Sequence, residues 1–156
     1  MAVSAQSYCE EDLHFIEMGR SNFPGDDSAV HYAKMMGRKV YEFALKNVPV
    51  AIQSCIRKAG VALTDVKMIF LHQANEKVVD AIVRELFLLE GIGEVPVGVV
   101  PMNIQQLGNS SVATIPTLYS MVQSGDLKDY HLNKGDIIVF AALGAGMNIN
   151  AVCYKV

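Results

Sequence analysis

Three separate places in this chain carry groups that could stabilise a negative charge during a reaction. They are His72 with Asn75, Asn109, and the turn Gly144-Ala145-Gly146. A neutral imidazole and a carboxamide each have an N–H that can donate to one oxyanion. A turn flanked by glycines exposes backbone N–H groups and allows a substrate to approach closely. If the fold brings these places together, they predict oxyanion chemistry.

Each of these features also has an ordinary interpretation. A single histidine in a loop is often only a polar turn residue, Asn109 could be a turn residue or a helix cap, and a glycine turn usually just closes a hairpin. The sequence lacks the phosphate-loop, zinc-protease and serine-hydrolase motifs, and no set of residues has metal-ligand spacing. The three cysteines are not placed like nucleophiles, and His72 has no obvious carboxylate partner for a hydrolytic triad.

The elements around His72 place it at a strand-to-helix corner. The apolar run Met68–Leu71 predicts a strand. Apolar residues then recur at helical spacing and predict a helix over 75–89, with Val79, Ile82, Leu86 and Leu89 on its buried face. In open α/β sheets the crevice beyond the carboxyl ends of the strands is where ligands bind. This position favours a functional role for His72.

The rest of the chain alternates between the two kinds of element. The β-branched run 95–101 predicts a strand, and Pro116 after several serines predicts a helix that ends near Gly125. The apolar run 137–143 predicts a strand buried on both faces, and the alternation over 149–154 predicts a final antiparallel strand. Strands alternating with helices predict an α/β fold with a mostly parallel sheet covered by helices.

The first third of the chain is less regular. Residues 13–18 could form a short strand, and 21–28 form a loop. A helical pattern extends from about Val30 to Lys58, where Pro49 leaves open either one kinked helix or two helices.

Composition excludes several classes of protein. Of the 156 residues, 51% are hydrophobic, and the net charge is −3, which gives no indication of a nucleic-acid or anionic-membrane partner. No apolar run is long enough to span a bilayer, and no signal peptide is evident. Cys9, Cys55 and Cys153 are far apart in the sequence, which favours a reducing, cytoplasmic setting over a disulfide framework.

Four segments resemble a known family. His72-Gln73-Ala74-Asn75 is similar to the histidine motif of β-ketoacyl-acyl-carrier-protein synthase III, in the thiolase superfamily, and the run 108–116 resembles its asparagine motif. Residues 134–146 resemble its last strand pair and glycine turn, and 36–41 resemble the start of the first helix of its C-terminal half. The resemblance covers 35–156 in order and spacing, and it divides the chain into a poorly matched N-terminal segment, 1–34, and a synthase III C-terminal domain, 35–156. It implies a thiolase-like half, with a mixed, mostly parallel five-stranded sheet and helices on both faces.

The resemblance also implies a function. Such enzymes have two similar halves, and the N-terminal half, absent here, carries a cysteine that accepts an acyl group as a thioester. The acyl group then condenses with malonyl-carrier protein as carbon dioxide leaves, in fatty acid biosynthesis. By motif position, His72 and Asn109 would stabilise the enolate, and the turn Gly144-Ala145-Gly146 would stabilise the oxyanion of the acyl-enzyme.

The same resemblance implies partners. Asn75 would lie beside the pantetheine arm, and Lys77 and Arg84, seven residues apart on one helix face, would dock an acidic carrier protein, although both could simply be solvated. The substrates would be acyl-CoA and malonyl-carrier-protein thioesters with no cofactor, and the full enzyme would be a homodimer that acts in the cytoplasm. We expect the fragment alone to be inactive. Because the half that would pack on it is absent, we also expect the fragment to have an exposed apolar face.

Two other functions remain open. The chain could be a non-catalytic subunit that pairs with a separate nucleophile-bearing chain, or a related thiolase-fold acyltransferase with another acceptor. Ala145 stands where the family usually has glycine, and Asn148-Ile149-Asn150 differs from the usual threonine-tryptophan-glycine stretch. Both differences bear on acyl preference.

Overall fold

The computed structural model describes residues 1–8 and 12–156, so Cys9 lies outside the described residues. The strands are β1 (Ala2–Ser7), β2 (Ile16–Arg20), β3 (His31–Met35), β4 (Val66–Leu71), β5 (Ile137–Gly144) and β6 (Asn148–Lys155). The α-helices are α1 (Gly37–Lys58), α2 (Glu76–Leu89), α3 (Ile104–Leu107) and α4 (Thr114–Ser124). Single 3₁₀ turns cover Leu13–Phe15, Leu63–Asp65 and Ser111–Ala113.

The main sheet has the strand order β1-β6-β5-β4, and β2 and β3 form a separate two-stranded sheet. Strands β4 and β5 are parallel, whereas β6 is antiparallel to both of its neighbours. The predicted α/β class is confirmed. The expected detail of a mostly parallel sheet of five strands is corrected, because the sheet has four strands and one parallel pair in the described part of the chain.

The fifth strand was expected at 95–101, and this segment is irregular in the structure. It runs beside β4, where the backbone N–H of Ile69 donates to the carbonyl of Val99 at 2.8 Å. Pro96 has no N–H to donate, and Gly98 has a φ of +81° that breaks the extended geometry. The segment therefore occupies the place of an edge strand without forming a ladder.

The N-terminal part differs most from the prediction. No strand was predicted at Ala2–Ser7, where β1 pairs with β6 along its whole length. The strand expected at 13–18 is found in part, as β2. The helix expected from Val30 begins only at Gly37, because β3 precedes it and pairs with β2. Most residues of this hairpin are exposed, so it has no one-sided apolar alternation for a sequence pattern to reveal.

Helix α1 passes through Pro49 without a break, so the one-helix alternative is correct. The side-chain amide of Asn47 donates to the carbonyl of Phe43 at 3.0 Å within the turns around the proline. The helix ends at Lys58 as predicted, and Gly60 follows it with a φ of +69°, where the N–H of Val61 donates to the carbonyl of Ile56. In residues 1–8 and 12–156, neither α1 nor any shorter helix has the length and apolar character needed to cross a membrane.

The core lies on both faces of the main sheet. On β4, Ile69 and Leu71 point into a cluster with α1 and α2, while Met68 and Phe70 point into a second cluster with α4. This two-sided burial explains why β4 and β5 appear in the sequence as continuous apolar runs. Helices on both faces were predicted and are confirmed.

Replacing Ile52 on α1 should measure how much this packing contributes. The side chain is fully buried in the larger cluster, so Ile52→Ala should lower the free energy of unfolding by about 2 to 5 kcal/mol. Val50→Ala on the same helix is the matched control, since Val50 is 44% exposed, and its effect should be within about 0.5 kcal/mol. Urea unfolding followed by circular dichroism provides both values. Equal effects at the two positions would contradict this description of the core.

Candidate active site

His72 lies where β4 ends. Its backbone N–H donates to the carbonyl of Ala141 at 3.0 Å, which continues the parallel pairing of β4 with β5 by one residue. The carboxyl ends of the two strands are therefore side by side at one edge of the sheet. The imidazole is half-buried there.

The loop that carries Asn109 reaches the same edge. The backbone of Ser111, two residues after Asn109, lies close enough to the imidazole of His72 to act on its pKa. The side-chain oxygen of Asn109 accepts from the N–H of Ser111 at 2.9 Å, so the loop is closed on itself. Ser111 has a φ of +53°, which is uncommon for a residue other than glycine. Asn109 is exposed, and its loop lies against His72.

The glycine turn follows β5 at this edge as well. Gly144 is the last residue of β5 and pairs with Asn148 at the start of β6. The side-chain amide of Asn148 donates to the carbonyl of Ala145 at 3.1 Å and closes the turn. Gly146 has a φ of +71°, and a Cβ there would lie 3.0 Å from the side-chain nitrogen of Asn148. Only glycine fits this position without strain.

Gln73, next to His72, is completely buried. Its side-chain NH₂ donates to the carbonyl of Pro101 at 3.1 Å. Its side-chain oxygen accepts from the N–H of Asn103 at 3.1 Å and from the N–H of Ile104 at 3.0 Å. The corner after β4 is therefore bonded directly to the segment that leads into the Asn109 loop.

The environment of His72 favours its neutral form. Burial of the ring lowers the pKa of His72 below its ordinary value of 6.5, and the backbone of Ser111 beside the ring acts in the opposite direction. A neutral imidazole keeps one N–H donor and one acceptor nitrogen. At neutral pH this side chain can therefore donate to a developing oxyanion without carrying a charge of its own.

Comparison with known proteins assigns the family. The family model described as 3-oxoacyl-[acyl-carrier-protein (ACP)] synthase III C terminal matches residues 56–156, which is well over half of the chain. The chain belongs to this family. The match includes β4, α2, the Asn109 loop and the β5–β6 pair, so the whole edge described above lies within it.

Curated relatives extend the similarity toward the N-terminus. The chain is 29% identical to the β-ketoacyl-[acyl-carrier-protein] synthase III of Lactobacillus helveticus over 166 residues, a match that covers 99% of this chain and 47% of that protein. It is 34% identical to the enzyme of the same name from Thermosynechococcus vestitus over 122 residues, covering 78% of this chain and 33% of that protein. The chain therefore spans less than half the length of these relatives.

A solved structure confirms the fold. The 3-oxoacyl-(acyl carrier protein) synthase III of Pseudomonas aeruginosa PAO1 superposes with a TM-score of 0.79 at 22% identity, over 99% of this chain and 43% of that chain. The thiolase-like half predicted from the sequence is thus confirmed as the fold of this synthase III C-terminal domain. The N-terminal segment 1–34, which matched the family poorly in sequence, is included in the superposition.

Helix α2 of this synthase III domain carries the other predicted site residues. Asn75 is the N-cap of α2, and its side-chain oxygen accepts from the N–H of Val78 at 3.0 Å. Lys77 and Arg84 are exposed on the helix two turns apart. Arg84 lies between two surface clefts, formed by α2 with residues 93–102. Asn75 therefore begins α2 next to the His72 corner, and Lys77 and Arg84 share the exposed surface of the helix with Asp80 and Glu85.

The burial of α2 follows its sequence pattern, with one exception. Val79, Ile82 and Leu86 are buried as the spacing predicted, whereas Leu89 is 47% exposed. Phe87 is buried instead.

Gln73 lies in the histidine motif 72–75, but no role was predicted for it from the sequence. A signal was available, because the alternation along β4 places Gln73 on the same side as the buried Ile69 and Leu71. A side-chain amide on that side must find backbone partners or lose stability. The identity of those partners, more than 25 residues further on, had no sequence signal.

The pKa of His72 can be measured by NMR titration of its ring protons. Because burial disfavours the imidazolium ion, we expect the midpoint to lie below 6.5. A midpoint above 6.5 in the parent protein would contradict the buried, neutral assignment.

The same shift makes stability depend on pH. The unfolded chain binds a proton at His72 more readily than the folded chain, so the contribution of His72 to stability is complete above pH 6.5 and is lost as the pH falls toward the lower folded pKa. His72→Gln should flatten the dependence of the unfolding free energy on pH in this range, and His131→Gln, at an exposed position, should leave it unchanged. Equal slopes for the parent protein and His72→Gln would refute the linkage.

Proposed function

We propose that this chain is the C-terminal half of a 3-oxoacyl-[acyl-carrier-protein] synthase III-like enzyme. The enzyme catalyses the decarboxylative condensation of an acyl thioester with malonyl-carrier protein in fatty acid biosynthesis. The observation that carries the proposal is the set of hydrogen bonds from the buried Gln73, next to His72, to the segment that leads into the Asn109 loop, within a fold of this family. It joins the histidine corner to the asparagine loop at one sheet edge.

The chemistry follows from the donors at this edge. In the proposed reaction the malonyl C–C bond breaks, carbon dioxide leaves, and the electron pair forms an enolate whose charge lies on the thioester oxygen. Neutral His72 and the NH₂ of Asn109 donate to that oxygen, and they bind it more strongly as its charge develops. The enolate carbon then attacks the acyl thioester, and the cysteine sulfur of the other half leaves as thiolate. The Gly144-Ala145-Gly146 turn supplies a backbone N–H to the tetrahedral oxyanion of that step.

The nucleophilic cysteine is supplied by an N-terminal half. This is supported by the relatives, which are more than twice as long as the span they share with this chain. It is also supported by exposed apolar side chains on both sides of Asn109, since Leu107 is 50% and Val112 is 92% exposed. Apolar groups at the mouth of a site are typical of a surface that a partner covers. Two such assembled units form the homodimer of the complete enzyme.

No cofactor takes part in the proposed reaction, because acyl-CoA and malonyl-carrier-protein thioesters already carry the activated groups. Asn75 begins α2 at the site end and lies beside the pantetheine arm. Cys55 and Cys153 are buried thiols without a disulfide, which supports a reducing, cytoplasmic location.

Lys77 and Arg84 form the docking surface for the acidic carrier protein. Both side chains are exposed on one face of α2, and Arg84 lies between two clefts that a partner could enter. Basic residues at the rim of an interface steer an acidic partner and raise the association rate.

Removing either donor should abolish most of the activity. In the complete two-half enzyme, His72→Ala or Asn109→Ala should lower the rate of malonyl-thioester decarboxylation by about 100- to 1000-fold, the usual cost of losing one oxyanion donor. His131→Ala, at an exposed position, is the matched control and should retain the parent rate. Carbon dioxide release from labelled malonyl-carrier protein measures this step directly. A non-catalytic subunit, the alternative function, would show normal turnover by its partner with either variant.

Reversing the docking charges should weaken carrier-protein binding without slowing the chemistry. Arg84→Glu is expected to raise the KM for malonyl-carrier protein by about tenfold and to reduce its dependence on salt. The kcat with a small malonyl thioester should not change, since Arg84 is on the outer surface of α2. Lys128→Glu is the control, because this exposed lysine lies outside α2. An unchanged KM for Arg84→Glu would refute the assigned docking surface.

A further inference from the structure

Gln73 is the buried polar side chain closest in sequence to His72. It forms three hydrogen bonds, all to backbone groups of the segment 101–104. No part of the side chain is exposed to solvent. Its role must therefore be exerted through the atoms that it holds and not through a contact with substrate.

The segment that Gln73 holds is connected to the Asn109 loop by short backbone hydrogen bonds. The carbonyl of Asn103 accepts from the N–H of Leu107 at 2.9 Å, and the carbonyl of Ile104 accepts from the N–H of Gly108 at 2.8 Å. Gly108 is the residue before Asn109. A continuous series of bonds therefore leads from Gln73, through the single turn of α3, to the loop that bears the second donor.

At the other end of this loop, the backbone of Ser111 lies beside the imidazole of His72. His72 and Gln73 are consecutive in the chain, so the loop is fixed at both ends by one corner of the sheet. A change at Gln73 would move the carboxamide of Asn109 relative to the imidazole while leaving both side chains intact.

We infer that Gln73 is a positioning residue that sets the geometry of the His72 and Asn109 donors for the condensation step. This inference rests on the function proposed above. An amide is required because its NH₂ group must donate to the carbonyl of Pro101 while its oxygen accepts from two N–H groups. Leucine can do neither, and a carboxylate can only accept and would be a buried charge.

The first test removes the bonds and keeps the approximate volume. In the complete two-half enzyme, Gln73→Leu should lower the kcat of malonyl-thioester decarboxylation on the order of 10- to 100-fold, because small displacements of catalytic groups have effects of this size. The KM should remain within about twofold, since Gln73 does not contact substrate. Gln105→Leu is the control, because Gln105 is exposed on α3 and its side chain bonds only to Glu76 among the described residues.

The second test uses a variant that can regain the bonding pattern. In Gln73→Glu a protonated carboxyl group has one O–H donor and one carbonyl acceptor, as the amide does, and burial raises its pKa. The rate of Gln73→Glu relative to the parent should be highest at low pH and fall as the new carboxyl group ionises. Gln105→Glu should show a flat ratio. This test remains decisive if Gln73→Leu fails to fold.

The outcomes separate this inference from the proposed function. If His72→Ala abolishes decarboxylation but Gln73→Leu keeps the parent kcat, or the Gln73→Glu ratio is flat with pH, the positioning role is wrong and the proposed function stands. If the parent enzyme does not decarboxylate malonyl thioesters, the proposed function fails. In that case amide exchange still tests the positioning itself, since Gln73→Leu should speed exchange at Asn103, Ile104 and Gly108 and not at α2. Unchanged exchange at these three residues would overturn the inference.

Discussion

The three hydrogen bonds of the buried Gln73 amide are the constraint on which this site depends. A primary amide in the protein interior is costly unless its donors and acceptor are paired. Here the pairing is possible only if the segment 101–104 lies against the corner after β4. The free energy that would be lost by separating them keeps the two parts of the site in register. Hydrophobic packing is non-directional and could not set this register alone.

A second constraint acts on the protonation state of His72. The ring is far enough from solvent for its charged form to be disfavoured, and the backbone that carries it is fixed by the bonds of His72 to Ala141 and of Gln73 to the segment 101–104. Burial and backbone position thus act together on one side chain. The result is a donor that is already neutral and directed before any substrate arrives, which is the property that electrostatic preorganisation requires.

Much of this arrangement could be predicted from the sequence, because it depends on local patterns. The apolar runs of β4 and β5, the helical spacing of α2 and the alternation of β6 each reflect burial on defined faces, and they predicted the corners at His72 and the glycine turn. Strand β3 could not be predicted, since a hairpin exposed on both sides leaves no periodicity. The segment 95–101 was wrongly predicted to be a strand, for the opposite reason. Its β-branched residues are typical of a strand, but Pro96 and Gly98 prevent a ladder. The partners of Gln73 could not be predicted because a side-chain amide does not specify which distant backbone it will meet.

The pairing of β1 with β6 has a consequence for biosynthesis. Ala2 pairs with Cys153, so the two strands that complete this side of the sheet are separated by nearly the whole chain. On a ribosome, about 140 residues must follow β1 before its partner is available. During that interval its backbone donors and acceptors face water or other chains, and the small, mostly exposed side chains of β1 limit how strongly another edge can capture it. Closure of the sheet is therefore a late, long-range event in folding, and it should set the pace at which this half becomes competent to assemble.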